Sequence, residues 1–216
     1  MGQDQIFSDS TMTLLESMSR GDQSGVSAAL NAGANINEVG RYGTTPLIYS
    51  VIKQNQPAVA DLLKLGADPN LRQSDGHNAL TAAYELSRSA PEVMEMLITS
   101  GRSDLDVIMP DDEPMLYYLA ASRRLNFLEM ALKNGANPSL RTGSKRPLVI
   151  EAALLEEYDA VQLLLDAGAS PVATDAAGTT LLEWVNNSAA AEINPKGATN
   201  QSRLRLLEYL QKALSR

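Results

Sequence analysis

From Gly43 to Asn70 the chain reads GTTPLIYSVIKQNQPAVADLLKLGADPN. Thr45 before Pro46 fits a helix N-cap followed by proline at the first helical position, where a missing N–H costs nothing. Apolar residues then return at helical spacing through Val59, Leu62 and Leu63. Gly66 follows, and glycine best adopts the left-handed turn that ends a helix because it has no Cβ to clash. Asp68-Pro69 then favours extended backbone, since proline disfavours helix in its predecessor. The stretch predicts a turn, a short helix, a tight turn, a longer helix and a glycine-ended loop.

Outward from here the pattern repeats. Glycines stand at Gly33, Gly66, Gly101, Gly135 and Gly168, at intervals of 33, 35, 34 and 33 residues. Three residues before each lie Leu30, Leu63, Ile98, Leu132 and Leu165. Four before lie Ala29, Leu62, Leu97, Ala131 and Leu164, and seven before lie Val26, Val59, Met94, Leu128 and Val161. All fifteen are apolar, and these offsets share one helical face. The block around Thr45-Pro46-Leu47 also recurs, as Asn78-Ala79-Leu80, Pro114-Met115-Leu116, Pro147-Leu148 and Thr180-Leu181-Leu182.

Thr-Pro-Leu leading into a helix pair that ends in Leu-Leu-x-x-Gly-Ala-Asp resembles the ankyrin repeat, over roughly Thr11 to Ala213. Departures from the family pattern are Ile48 in place of the usual histidine, Ser50 in place of alanine, and Arg102 after Gly101; each weakens local capping rather than the architecture. The resemblance implies an all-α ankyrin-repeat solenoid of about six stacked helix-turn-helix units with protruding finger loops. One domain is expected over residues 1–216, with an N-terminal cap at 1–40, internal repeats at 41–177 and a C-terminal cap at 178–216. Two places break the period: the acidic stretch Gly101 to Pro114, longer than a compact finger, and an inserted loop at 186–202.

Composition narrows the function. A hydrophobic fraction of 44% supports a core, and an aromatic fraction of 5% means that core is built from Leu, Ala, Val, Ile and Met. A net charge of −8 argues against a general nucleic-acid binder, which needs clustered Lys and Arg, and against docking on anionic membrane. There is no cysteine, hence no disulfide framework or zinc–thiolate site. No stretch approaches the ~18 apolar residues of a membrane span. Residues 1–20 carry no basic, apolar leader pattern. A cytoplasmic protein is expected, or a periplasmic or secreted one if a leader has been removed.

No catalytic motif stands out. The one histidine, His77, sits in a turn beside Gly76, and Gly143-Ser144-Lys145 lacks the first glycine of a phosphate loop. The carboxylates Asp104, Asp106, Asp111, Asp112 and Glu113 follow no calcium-loop spacing and read as a solvated acidic finger. The basic finger after it, with Arg141, Lys145 and Arg146, either pairs with it or presents a polarised rim. In the C-terminal segment, Leu206, Leu207 and Leu210 sit where a cap must close the last apolar face, and Trp184 is expected beneath that cap.

What the resemblance implies for function is protein recognition, with no catalysis, cofactor, metal or small-molecule substrate. The expected contact residues in the first half are Arg41, Tyr42, Tyr49, Lys53, Ser74, His77 and Tyr84. In the second half they are Asp111, Asp112, Tyr117, Arg123, Lys145 and Arg146. Tyrosines on the first helix of each unit, which in this family line the concave face, resemble interface anchors. An adaptor or scaffold is the first expectation. The alternatives are a bacterial immunity protein that neutralises a toxin or secreted effector, and a regulatory subunit of an enzyme.

Overall fold

The computed structural model describes residues 6–187 and 198–215. Among them the chain forms twelve α-helices in six consecutive pairs and divides into two compact units, residues 1–104 and 105–216. The first unit holds α1 (Asp9–Arg20), α2 (Gln23–Asn31), α3 (Pro46–Ile52), α4 (Gln56–Leu65), α5 (Ala79–Leu86) and α6 (Pro91–Thr99). The second holds α7 (Met115–Ala121), α8 (Leu125–Lys133), α9 (Leu148–Leu154), α10 (Tyr158–Asp166), α11 (Leu181–Asn186) and α12 (Ala198–Leu214).

Within each unit the helices stack in two layers. In the first, α3 packs on α1 and α5, and α4 packs on α6; in the second, α9 packs on α7 and α11, and α10 packs on α8 and α12. The short inner helices open with the expected caps: the side chains of Thr45, Asn78 and Thr180 accept backbone N–H groups one turn on. Of the fifteen repeat-register apolar residues, thirteen are buried, and Leu30 and Leu132 are half-buried. A helix pair alone cannot cover this face, so each pair needs its neighbour.

The five loop glycines all have positive φ, between 68° and 105°. In four of the loops the next residue is alanine, whose N–H closes back on the helix. Ala34 reaches Ala29 O (3.0 Å), Ala67 reaches Leu62 O (2.9 Å), Ala136 reaches Ala131 O (3.0 Å) and Ala169 reaches Leu164 O (2.9 Å). This is the six-to-one bond of a Schellman ending. Where Arg102 replaces the alanine, the carbonyl of Leu97 is met by the hydroxyls of Ser100 and Ser103, both at 2.8 Å. Two side chains thus take over a backbone cap.

A second device links successive loops. Asn37 Oδ1 accepts from Asp68 N (2.9 Å), Asn70 Oδ1 from Asp104 N (2.8 Å) and Asp106 Oδ1 from Asn137 N (2.7 Å). Asn37 and Asn70 lie four residues after their glycines and Asp106 lies five after Gly101, so this loop has one extra residue. The other irregular interval comes from the turn between α5 and α6, where the N-caps Asn78 and Ala90 are 12 residues apart against 10 for Thr45 and Asn55.

The stretch 101–114 therefore differs from the expectation of an enlarged finger. Its alternating Leu105, Val107 and Met109 are buried, leaving the acidic side chains outward, and the finger itself is of ordinary size. The expected loop 186–202 also changes. Residues 188–197 lie outside the described residues, but Ala198 already opens α12, so 198–202 is helix. Asn200 and Ser202, polar enough to suggest a loop, are buried and accept from Arg203 Nε and Arg205 Nη2, both at 2.9 Å.

The C-terminal helix is a cap. Leu206 and Leu210 are buried, and Arg203, itself buried, donates to the Val185 carbonyl at the end of α11 (3.2 Å). Trp184 is half-buried rather than covered, and its indole N–H donates to Asp175 Oδ2 at 3.1 Å.

Candidate protein-binding surface

Among the described residues five fingers project from the loops, and they share one pattern of closing hydrogen bonds. In each, the first N–H donates to the fifth carbonyl: Gly40 to Thr44 (2.8 Å), Gln73 to His77 (2.7 Å), Met109 to Glu113 (2.8 Å), Thr142 to Arg146 (2.9 Å) and Asp175 to Thr179 (3.1 Å). The fourth residue donates back to the first carbonyl at 2.8–3.3 Å. That fourth residue is always left-handed, and in three fingers it is glycine: Gly43, Gly76 and Gly178. In the other two it is charged, Asp112 (φ 68°) and Lys145 (φ 66°). Left-handed backbone costs a non-glycine residue about 1–2 kcal/mol, so two adjacent fingers carry opposite charges in strained conformations.

The inter-helix turns show the same substitution. Gly21 is left-handed between α1 and α2, and Gln54, Arg123 and Glu156 occupy that conformation in later turns. Arg123 has a local reason to be there, since its Nε lies 2.8 Å from both carboxylate oxygens of Glu157.

In the first unit, fingers 40–44 and 73–77 touch: Ser74 N donates to Tyr42 O (2.8 Å), and Gln73 Nε2 donates to Thr44 Oγ1 (2.8 Å). A Cβ on Gly43 would come within 3.1 Å of Gln73 Cα, and the backbone there is left-handed at φ 75°, so glycine suits this approach. Arg41 and Ser74 are exposed beside Tyr42, whose ring is 79% exposed. His77 is half-buried, with Nδ1 3.3 Å from Thr81 Oγ1. On α3, Tyr49 is half-buried between Phe7, edge-on at 5.8 Å, and the exposed Lys53, whose ammonium lies 5.6 Å from its ring centre. Tyr84 departs from its expected role: it is 7% exposed and belongs to the core of α5, where its ring cannot anchor a partner.

In the second unit, Tyr117 and Tyr118 pack edge-on at 5.1 Å on α7, and the Tyr118 hydroxyl donates to Asp111. Burial, then this bond and the Asp111 charge, push the Tyr118 phenol far above its ordinary pKa. Burial, then Glu151, Glu113 and Asp111, raise that of Tyr117. Both phenols therefore stay protonated at neutral pH; the Tyr118 O–H is already given to Asp111, which leaves the Tyr117 hydroxyl to donate to a partner. Asp112 and Lys145 are exposed at their fingertips, whereas Arg123 lies at the far end of α7 from the finger.

The acidic and basic fingers do touch, but through backbone: Glu113 Oε2 accepts from Gly143 N at 2.9 Å. Arg146 pairs instead with Glu151 at 2.5 Å, and Arg141 Nη1 donates to the Lys145 carbonyl at 2.7 Å. Among the described residues no ion pair joins the two fingers, no cluster of His, Cys, Asp and Glu fits a metal ion, and no helix is long and apolar enough to cross a membrane.

The fold and these loops are those of an ankyrin repeat array, and the comparisons agree. The sequence model of the ankyrin repeat family matches residues 42–74. The whole fold is similar to the crystal structure of an ankyrin repeat domain from Acinetobacter baumannii, with a TM-score of 0.67 and 20% identity over 92% of this chain and 97% of that one. It is also similar to a chain in the structure of a predatory endopeptidase from Bdellovibrio bacteriovorus in complex with an immunity protein. There the TM-score is 0.59 and the identity 21%, over 89% of this chain and 97% of that one. Among curated sequences, the E3 ubiquitin-protein ligase KEG of Arabidopsis thaliana is 30% identical over 113 residues, 51% of this chain. The chain spans 7% of that relative and a fifth or less of two others. Ankyrin repeats are protein–protein interaction modules, and this chain has their all-α solenoid fold.

Proposed function

We propose that the chain is an adaptor or scaffold in the cytoplasm, which holds a partner protein against its fingers and inner helices and performs no catalytic step. The observation that carries this reading is Tyr42. A large aromatic ring stands 79% exposed on a finger whose backbone is closed by its own hydrogen bonds. Such a side chain adds contact area with little ordering cost, which is how interface anchors earn affinity. The full chain, immobilised and exposed to extract from its native host, should retain a partner identifiable by mass spectrometry. Tyr42→Ala should then weaken that partner by about 2 kcal/mol, roughly thirtyfold. Unchanged affinity after replacing Tyr42, Tyr49 and Tyr117 together would overturn the reading.

A second reading is an immunity protein that neutralises a toxin or secreted effector. It is favoured by the likeness to a chain in the endopeptidase–immunity complex, across nearly that chain's whole length. Expressing the product of the neighbouring reading frame with and without this chain separates the two. Toxicity abolished by the chain selects the immunity role, and toxicity unaffected by it selects the adaptor.

A further inference from the structure

In the second unit a cleft of about 480 Å³ lies between fingers 142–146 and 175–179. Arg141, Lys145 and Arg146 line one side and residues 174–177 the other. We infer that this cleft seats an acidic segment of the partner protein, with its carboxylates held by Lys145 and Arg141. The inference rests on the protein-binding reading and specifies the partner's chemistry.

Four observations converge on it. Lys145 occupies the left-handed position that is glycine in three other fingers, yet among the described residues its ammonium makes no hydrogen bond or ion pair. The fold gains nothing from that side chain and would be less strained without it. Arg141 is held in place by one bond to the Lys145 carbonyl, just as Arg72 is held by Gly76 O at 2.6 Å, so the rest of its guanidinium fork is fixed in orientation. A fixed fork suits a carboxylate.

The nearby anions are already engaged. Glu151 takes Arg146, and Asp175 accepts the N–H groups of Ala177 and Thr179 and the indole of Trp184. Lys145 and Arg141 thus form no ion pair among the described residues beside a cleft whose one lining carboxylate, Asp175, is held by backbone N–H groups and Trp184, in a chain of net charge −8. That contrast orients an acidic partner toward this edge and repels it from the rest.

The test uses the full chain and a fluorescein-labelled peptide rich in aspartate, with an asparagine counterpart, read by fluorescence anisotropy at low and high salt. The aspartate peptide should bind and weaken with salt, and the asparagine peptide should not bind. Lys145→Gly and Arg141→Gln should each reduce affinity about fivefold or more. Lys145→Gly should do so with an unchanged or higher Tm, which separates lost contact from lost folding. Failure of the wild-type chain to bind the aspartate peptide, equal binding of the asparagine peptide, or full affinity in Lys145→Gly overturns the inference. Displacement by inorganic phosphate or a DNA oligomer at matching concentration also overturns it, by assigning the cleft to phosphate. A partner retained equally by the wild type, Lys145→Gly and Arg141→Gln, but lost by Tyr42→Ala, sinks this inference alone.

Discussion

Asn70 grips the following loop twice: its Oδ1 accepts from Asp104 N at 2.8 Å, and its Nδ2 donates to the Arg102 carbonyl at 3.0 Å. The amide thereby fixes the loop that has lost its Schellman alanine. Asn70→Ala removes both bonds at an exposed site, where each is worth about 0.5–1.5 kcal/mol. The expected loss is about 1–2 kcal/mol, read as a lower urea midpoint with an unchanged slope.

The left-handed positions give a paired prediction. Asp112→Gly should stabilise the protein by about 0.5–1 kcal/mol, because strain is relieved and glycine's larger unfolded-state entropy cancels only part of the gain. Arg123→Gly relieves the same strain but breaks the two-oxygen contact with Glu157, so its net effect should be near zero. Equal gains in the two variants, measured by thermal unfolding, would mean that the Arg123–Glu157 contact contributes nothing.

Core depth predicts another contrast. Leu164 is fully buried on α10, whereas Leu132 is half-buried on α8, although both belong to the repeat register. Leu164→Ala should cost roughly 2–5 kcal/mol and Leu132→Ala less than half of that. Chemical denaturation of the two variants checks the ranking.

Glu38 makes the N-terminal helix pair sensitive to acid. Its carboxylate accepts from Ser8 N at 2.7 Å and from Ser8 Oγ at 2.8 Å. Burial works to raise its pKa, but hydrogen bonds from Thr11 and from the backbone and hydroxyl of Ser8 outweigh that and hold it below the ordinary value. A depressed folded-state pKa gives stability that is present above the unfolded pKa and lost as pH falls through the folded one. The protection factors of α1 amides, exchange rates corrected for the intrinsic pH dependence, should therefore fall as pH drops below the ordinary glutamate range. Glu38→Gln should flatten that dependence.

The repeat was legible in the sequence because its signals are local and periodic. Gly66 reports its own backbone conformation, and Val59, Leu62 and Leu63 report one helix face. The linking role of Asn37, Asn70 and Asp106 was not legible, since their partners lie some thirty residues away and asparagine before or after a turn already has a local explanation. The same applies to Arg203, whose buried acceptor, the Val185 carbonyl, lies 18 residues upstream. Tyr84 illustrates the limit for the candidate site. Its helix was placed correctly, but which side chains of that helix turn into the core depends on the neighbouring pairs, and the Tyr84 ring is buried. Lys145 and Asp112 were singled out as charged fingertips, and the strain that distinguishes them emerged only from their φ angles.

Because the hydrogen bonds that close each finger lie within five residues, and finger 142–146 meets the finger before it through Glu113 and Gly143, the tip at Ser144 and Lys145 stands apart from the helix pairs behind it. Foreign peptide sequences spliced at Ser144 and Lys145 should therefore be displayed on an intact array, making the chain a carrier for grafted epitopes.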